Sequence, residues 1–425
     1  MTILSGANAK IAIKKEVTYG VAPGGNYDLI PIVSFELAET QQFSDNDLIG
    51  QGADTLRPQR EISTFQGNVT TAIDLRAIGH WFNLAFGTAV DTGVVSTGTI
   101  TFSGQPAVAS TITINGVVFT FVSGAPSGAQ IQIAATLTLT LDNMVSVLNA
   151  SVNAAVDDCT YSKVGTTILL ATNDTAGAAG NTFTLAASAA SLGVASAPTL
   201  TGGGFSHLWV SGAAVLASYS AERQHPDATV PLYALYSGIR CDSVSLQLEP
   251  TGKATIQFAV NYKSCVRSTV TAAGTPVAIN VERFSNYHNY IEQNGTPLAK
   301  IESVSLPYAL NNEEIRYVGG RGEIGDIIAG IRTANGQMTA RFEDWNLFAT
   351  AAAETTFNVG LGFRKTPAQG GWKLEILVEQ AEFGNPSDPI NGPAGIKATF
   401  PFIGSRSTGT GRMMSVLLVN DVASY

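Results

Sequence analysis

Charge is what this chain has least of. Only 13% of its 425 residues are Asp, Glu, Lys or Arg, about half the share usual in a soluble domain. The net charge is −9. That argues against a basic nucleic-acid footprint and leaves a mildly acidic surface that repels phosphate backbones. Cysteine is scarce too: Cys159, Cys241 and Cys265 are odd in number and far apart, which speaks against a disulfide framework or CxxC ligand spacing. The four histidines, His80, His207, His225 and His288, form no HExxH and no i, i+4 pair, so metal ligation has no support. No apolar run approaches the length needed to cross a bilayer. The opening MTILSGANAKIAIKKE also lacks the apolar stretch of a signal peptide. The expectation is a protein made and kept in a reducing cytosol unless lysis releases it, with no membrane partner.

Catalytic patterns are equally thin. Asp157-Asp158 and Glu313-Glu314 are adjacent pairs, and neighbours on an extended strand point to opposite faces, so neither is a ready acid/base pair. None of the serines sits in a GxSxG elbow. Gly320 to Gly325, GRGEIG, satisfies GxGxxG, but the dinucleotide motif needs a helix after it. Here IIAGIRTANGQ follows, with two more glycines, and a flexible loop is the better explanation. His80 sits beside Trp81 and reads as packing or surface. No catalytic residue, cofactor or metal is expected, and the chain reads as a non-enzyme.

What the sequence does hold is an internal echo. Leu48 to Thr70 lies over Tyr317 to Thr339 without a gap, Gly50 falling on Gly319, a shift of 269. The same shift brings Ile62 onto Ile331, Thr64 onto Thr333, Gly67 onto Gly336 and Thr70 onto Thr339. Downstream, GKATIQF from Gly252 echoes GIKATFPF from Gly395. Two echoes in the same order point to a duplicated unit, and 425 residues with 45% hydrophobic content suffice for two or three domains.

Each copy follows one pattern: a polar, charged, Gly-bearing stretch, then an alternating strand, then a short helix. In the first copy, Ile11 to Pro23 reads as a strand and a turn-rich arm, and Leu29 to Glu36 as a strand whose Pro31 suggests an edge. The long loop Gln41 to Arg60 is of the kind that carries function or an interface. Glu61 to Asp74 alternates as a strand. Asp74 can cap a helix with Leu75, Ile78, Phe82 and Ala85 on one face, stopped by Gly87. In the second copy Glu343 or Asp344 takes the capping place before Trp345, Phe348, Ala349 and Ala352.

Between Gly93 and Phe205 the composition changes. These 113 residues hold five charges (Asp142, Asp157, Asp158, Lys163, Asp174), whereas the other 312 carry 52. This is read as an inserted module. It has a hairpin across Asn115-Gly116, an amphipathic helix marked by Leu137, Leu141, Met144, Val145 and Leu148, further strands, and a Gly202-Gly203-Gly204 hinge.

The opening Ala12 to Pro23, AIKKEVTYGVAP, resembles the start of tail tube proteins of long, non-contractile-tailed bacteriophages. The likeness extends through the loop, strand and helix to Gly87 and through the Gly252 and Gly395 strands to the C-terminus. The insert resembles a hairpin–helix–hairpin module of various phage tail and neck proteins, through ITINGVVFTFV, Leu148-Asn149-Ala150 and TAGAAGN at Thr175 to Asn181. The resemblance implies a mainly β (α+β) fold. Two tandem tail-tube-like β-sandwich units (1–92 with 206–265, and 266–425) would each carry a short helix, with 93–205 as a small outward-facing α+β module.

It further implies a virion structural protein that polymerises into stacked rings, the conduit for DNA, assembled in the host cytoplasm. Tape-measure, terminator and tail-tip proteins would be its partners, with only transient, non-specific contact with phage DNA. Ring stacking would fall to the two long loops (Asp45, Asp47, Asp54, Arg57 and Arg60; Arg316, Arg321, Glu323 and Asp326) and to the N-terminal arm (Lys14, Lys15, Glu16 and Tyr19). If six units make a ring, two per chain imply a trimeric, pseudo-hexameric ring. No good second copy of the IKKEVTYG arm is found, so residues near Phe284 to Pro297 are expected to differ. Two rivals remain: another phage tail or neck part (terminator or decoration protein), and a secreted carbohydrate-binding protein or adhesin.

Overall fold

The computed structural model describes residues 5–44, 49, 54, 57–298, 300–318, 323–341, 345–366, 371–388 and 395–425. The fold is mainly β. Seven strands of the first part are β1 (Lys10–Lys15), β2 (Ile32–Ser44), β3 (Gln59–Ala72), β4 (Tyr219–His225), β5 (Leu232–Leu248), β6 (Thr255–Asn261) and β7 (Ser264–Ser268). Seven more follow: β8 (Asn289–Gln293), β9 (Ile301–Ala309), β10 (Thr333–Arg341), β11 (Phe357–Arg364), β12 (Lys373–Phe383), β13 (Lys397–Gly404) and β14 (Met414–Asn420). A short helix follows the third strand of each set, α1 (Ile78–Phe86) after β3 and α2 (Asn346–Ala352) after β10.

The two sets share one wiring. β1 pairs β4, β4 pairs β5, β5 pairs β7 and β6, β6 pairs β3, and β3 pairs β2, all antiparallel. Seven strands later, β8 pairs β11, β11 pairs β12, β12 pairs β14 and β13, β13 pairs β10, and β10 pairs β9, also antiparallel. The correspondence reaches single residues. Ile32 faces Thr71 and, past a bulge, Ser34 faces Thr70; Ile301 faces Ala340 and, past the same bulge, Ser303 faces Thr339.

Burial alternation produces this arrangement. On β3, Phe65, Val69 and Thr71 point inward, and on β10 Ala334, Met338 and Ala340 do, as the two-residue period of a strand with one buried face requires. Val69 faces Phe258 and Met338 faces Phe400. Each helix lays an aromatic ring on that phenylalanine, Trp81 on Phe258 at 5.4 Å and Phe348 on Phe400 at 5.0 Å between centroids. The downstream echo is two residues out of ladder register, because sequence lay Phe258 over Phe402. An even offset keeps every side chain on its own face, so the strand was recognised and the register was not.

α1 begins at Ile78, later than the apolar spacing from Leu75 suggested. The buried Asp74 carboxylate closes the preceding turn instead, accepting from the backbone N–H of Arg76 (2.9 Å), Ala77 (2.8 Å) and Glu282 (2.5 Å). Gly87, at φ 89°, ends the helix. The expected caps of α2, Glu343 and Asp344, lie outside the described residues.

One apolar core runs through both sets, from Ile11 to Leu418. A second, separate core is built only from residues between Ile100 and Leu200. It includes the hairpin Thr111–Ile114 with Val117–Val122 and the helix Leu137–Asn149. This portion is carried on one long strand, Val90–Phe102, whose first residues pair with Gly204–Val210 (Gly93 opposite Phe205). Gly204–Val210 is zipped in turn onto β14. The glycine triplet is therefore no slack hinge. Asn181 grips Gly203 through N–H and C=O, both at 2.9 Å, and a Cβ on Gly204 would lie 2.5 Å from the Asn420 carbonyl oxygen.

Candidate assembly surface

A β-sheet edge exposes a row of unpaired N–H and C=O groups, a template for another strand. β2 is such an edge. Among the described residues it pairs with β3 alone along 13 residues, and most of its residues are exposed. Its counterpart β9 is not an edge, because its outer side pairs with the distal half of β5, from Ser243 opposite Ala309 to Leu248 opposite Val304. The first set is thus joined to the second by an edge-to-edge seam within one chain.

The loops beyond these strands behave differently. The β2–β3 hairpin runs straight on, Ser44 opposite Gln59, and Asp54, Arg57 and Arg60 are exposed. Asp45 and Asp47 lie outside the described residues. In the second set the chain breaks after Ala309, with Asn311 at φ 51°. The strands Glu313–Ile315 and Asp326–Ile328 then form a bent hairpin, Glu313 opposite Ile328. That hairpin is seated on the first set. Arg240 Nη1 of β5 donates to Asp326 Oδ1 at 2.6 Å and also to the Ile327 carbonyl. Arg316 Nη1 donates to the Ser63 carbonyl of β3 at 2.9 Å, and its Nη2 to Glu314 at 2.7 Å. Asn312 Nδ2 donates to the Cys241 carbonyl at 2.6 Å, and Ile324 and Ile327 are buried. Glu323 is exposed, and Arg321 lies outside the described residues.

The N-terminal residues are held inside the chain. β1 pairs with β4, and the chain then turns so that the buried Glu16 carboxylate accepts from Ser220 Oγ (2.6 Å) and the backbone N–H of Gly238 and Gly20 (2.8 Å each). Tyr19 lies under the Arg240 guanidinium, 4.2 Å from ring centroid to charge, and burial pushes its phenol pKa up. Lys14 and Lys15 donate to the Gly24 carbonyl (2.8 Å) and Thr88 Oγ1 (3.0 Å). The order Glu16–Tyr19–Arg240–Asp326 therefore links the N-terminus to the bent hairpin. Arg240 gave no signal in the sequence because its partners come from two distant stretches, Tyr19 and Asp326 with Ile327. The early second copy differs as expected: where the first set has this turn, the second has a tight hairpin, β8 with Thr296–Pro297.

Among the described residues no three His, Cys, Asp or Glu side chains converge on a metal position. No described helix is long and apolar enough to cross a membrane.

The chain thus presents an open edge on β2, a seated hairpin and a seam that joins its two sets edge to edge. Residues 6–404 match the family model described as phage tail tube protein. The chain belongs to that family. No curated protein matches it. As a tail tube protein it is a structural component of the phage tail, and its family assembles into a tube. The match runs through the low-charge segment as well, so this tail tube protein carries residues 93–205 inside the family region.

Proposed function

We propose that three copies of this tail tube protein close into a ring of six like β units, and that rings stack into the DNA conduit of a long, non-contractile tail. The observation that carries this reading is the β5–β9 seam. It joins one seven-strand set to the next, while β2 at one extreme and the chain after β12 at the other keep the corresponding edges unpaired by β9- or β5-like strands. A heterologous interface of this kind closes a ring when the rotation allows it. The units would be 1–92 with 206–265, and 266–425, with 93–205 displayed outward because it has its own core.

Stacking would use the exposed part of the 41–60 loop, with Arg60 and Asp54. The acidic balance of the chain suits a lumen through which DNA slides without sticking, since phosphate contacts dominate affinity. Tape-measure, terminator and tail-tip proteins would meet the ends of such a tube. Negative-stain electron microscopy of purified protein tests the reading: hollow tubes with threefold-modulated sixfold rings are expected. Particles of monomer size would overturn it, and single rings that never extend would favour a terminator or neck role.

A further inference from the structure

The internal seam has a free counterpart at each end of the chain, and one charge pair is reversed there. Position by position, Arg240 faces Asn261 and Asn261 faces Gln66. In the second set Glu382 faces Ile403 and Ile403 faces Asn335. Gln66 and Asn335 are related by the 269-residue shift, so Glu382 holds the place of Arg240. On the hairpins, Ser44 opposite Gln59 corresponds to Glu313 opposite Ile328, which puts Arg57 in the place of Asp326. Inside the chain a strand cation grips a hairpin anion, Arg240 to Asp326 at 2.6 Å. At the free ends the strand carries the anion and the hairpin the cation. Arg57 and Glu382 are both exposed, and neither forms an ion pair among the described residues.

We propose that Glu382 of one copy receives Arg57 of a second copy, a charge-reversed version of the internal Arg240–Asp326 pair, and that this reversal dictates the order of units around the ring. The backbone offers the matching register. Carrying Ser243 opposite Ala309 and Ser245 opposite Pro307 across to the free edges sets Asn385 opposite Thr40 and Ser387 opposite Ala38 of the second copy. Pro386 then takes the place of Val244, opposite Tyr308 in the internal seam, so the free edge lacks that one ladder donor. For Arg57 to arrive, the straight β2–β3 hairpin must bend as its counterpart does at Asn311. The equivalent residue is Gln42, and the ladder there is already interrupted by a register shift between Gln41 and Phe43. A bulge is where a strand bends most easily.

The consequence is selectivity by repulsion. A first-set hairpin displacing the chain's own hairpin from β5 would bring Arg57 against Arg240, and a second-set hairpin so freed and offered to β12 would bring Asp326 against Glu382. Both wrong orders bury like charges, which is how interfaces reject alternatives.

This inference rests on the ring reading, and the test separates the two. Full-length wild type, Arg57→Glu, Glu382→Arg and the double reversal are purified, checked for fold by circular dichroism, and assayed for assembly by sedimentation and negative stain. Each single reversal is expected to raise the critical concentration for assembly roughly tenfold or more, and the double reversal to bring it back near wild type. If wild type forms no rings, the ring reading falls and takes this pair with it. If wild type assembles and either single variant matches it, or the folded double variant fails to recover, the pair alone is overturned.

Discussion

At the scale of single residues, the N-terminal buckle shows how a charged residue in a charge-poor chain is used. Glu16 is buried, a placement that requires the carboxylate to be fully hydrogen-bonded. Three donors from three stretches supply this: Gly20, Ser220 and Gly238. Glu16→Ala leaves those donors unsatisfied, and each buried, unpaired group costs about 1–3 kcal/mol. We expect a loss of roughly 3 kcal/mol in urea unfolding at neutral pH, together with exposure of Tyr19 to fluorescence quenchers. A stability within experimental error of wild type would show that the buckle contributes nothing. The pair Lys14 and Lys15 is different in kind, since both ammonium groups sit at the surface with single neutral acceptors, where a contact is worth little.

Among the elements, the β2–β3 ribbon carries the strictest steric demand. Gly67 lies where β2 crosses closest, and a Cβ there would sit 2.0 Å from the Glu36 carbonyl oxygen and 2.7 Å from the Leu37 Cα. These are backbone atoms fixed by the ladder to β3, and they cannot rotate away as a side chain can. Gly67→Ala therefore forces the ribbon apart, and overpacking of this kind costs about 2 kcal/mol. A Cβ on its partner in the echo, Gly336, would lie 2.2 Å from the Phe402 ring, and a side chain can rotate where a carbonyl cannot. The expected outcome is a larger fall in thermal midpoint for Gly67→Ala than for Gly336→Ala; the reverse order would refute the argument. The short helices are held by aromatic contacts rather than by length: nine and seven residues are too few for an isolated helix.

For the whole molecule, the two cores are the telling feature. The core between Ile100 and Leu200 shares no residue with the long one, so its removal leaves no cavity in the remainder. The cut must respect the ladder, since Val94 faces Gly204 and Gly93 faces Phe205. Replacing residues 95–203 by a two-residue Asn-Gly turn keeps that pairing and uses the tight connection an antiparallel hairpin favours. We expect this variant to be soluble, to melt near the wild-type temperature and still to assemble, read by the same microscopy. Loss of soluble protein would mean that the module supports the strands that bear it.

By itself the sequence determined the class of strand at most positions, because alternation of apolar side chains has the period of the backbone and needs no partner to be read. The matching wiring was also legible in part, through Gly67 on Gly336, since close approaches at matching sites leave the same small residue. Only the tertiary structure decided which edges stay open, why Gly203 and Gly204 are clamped, and that Arg240, Asp326, Tyr19 and Glu16 form one line. These depend on ladders and contacts between stretches well separated in the sequence, where register is chosen by the summed fit of many side chains. No local pattern encodes that sum.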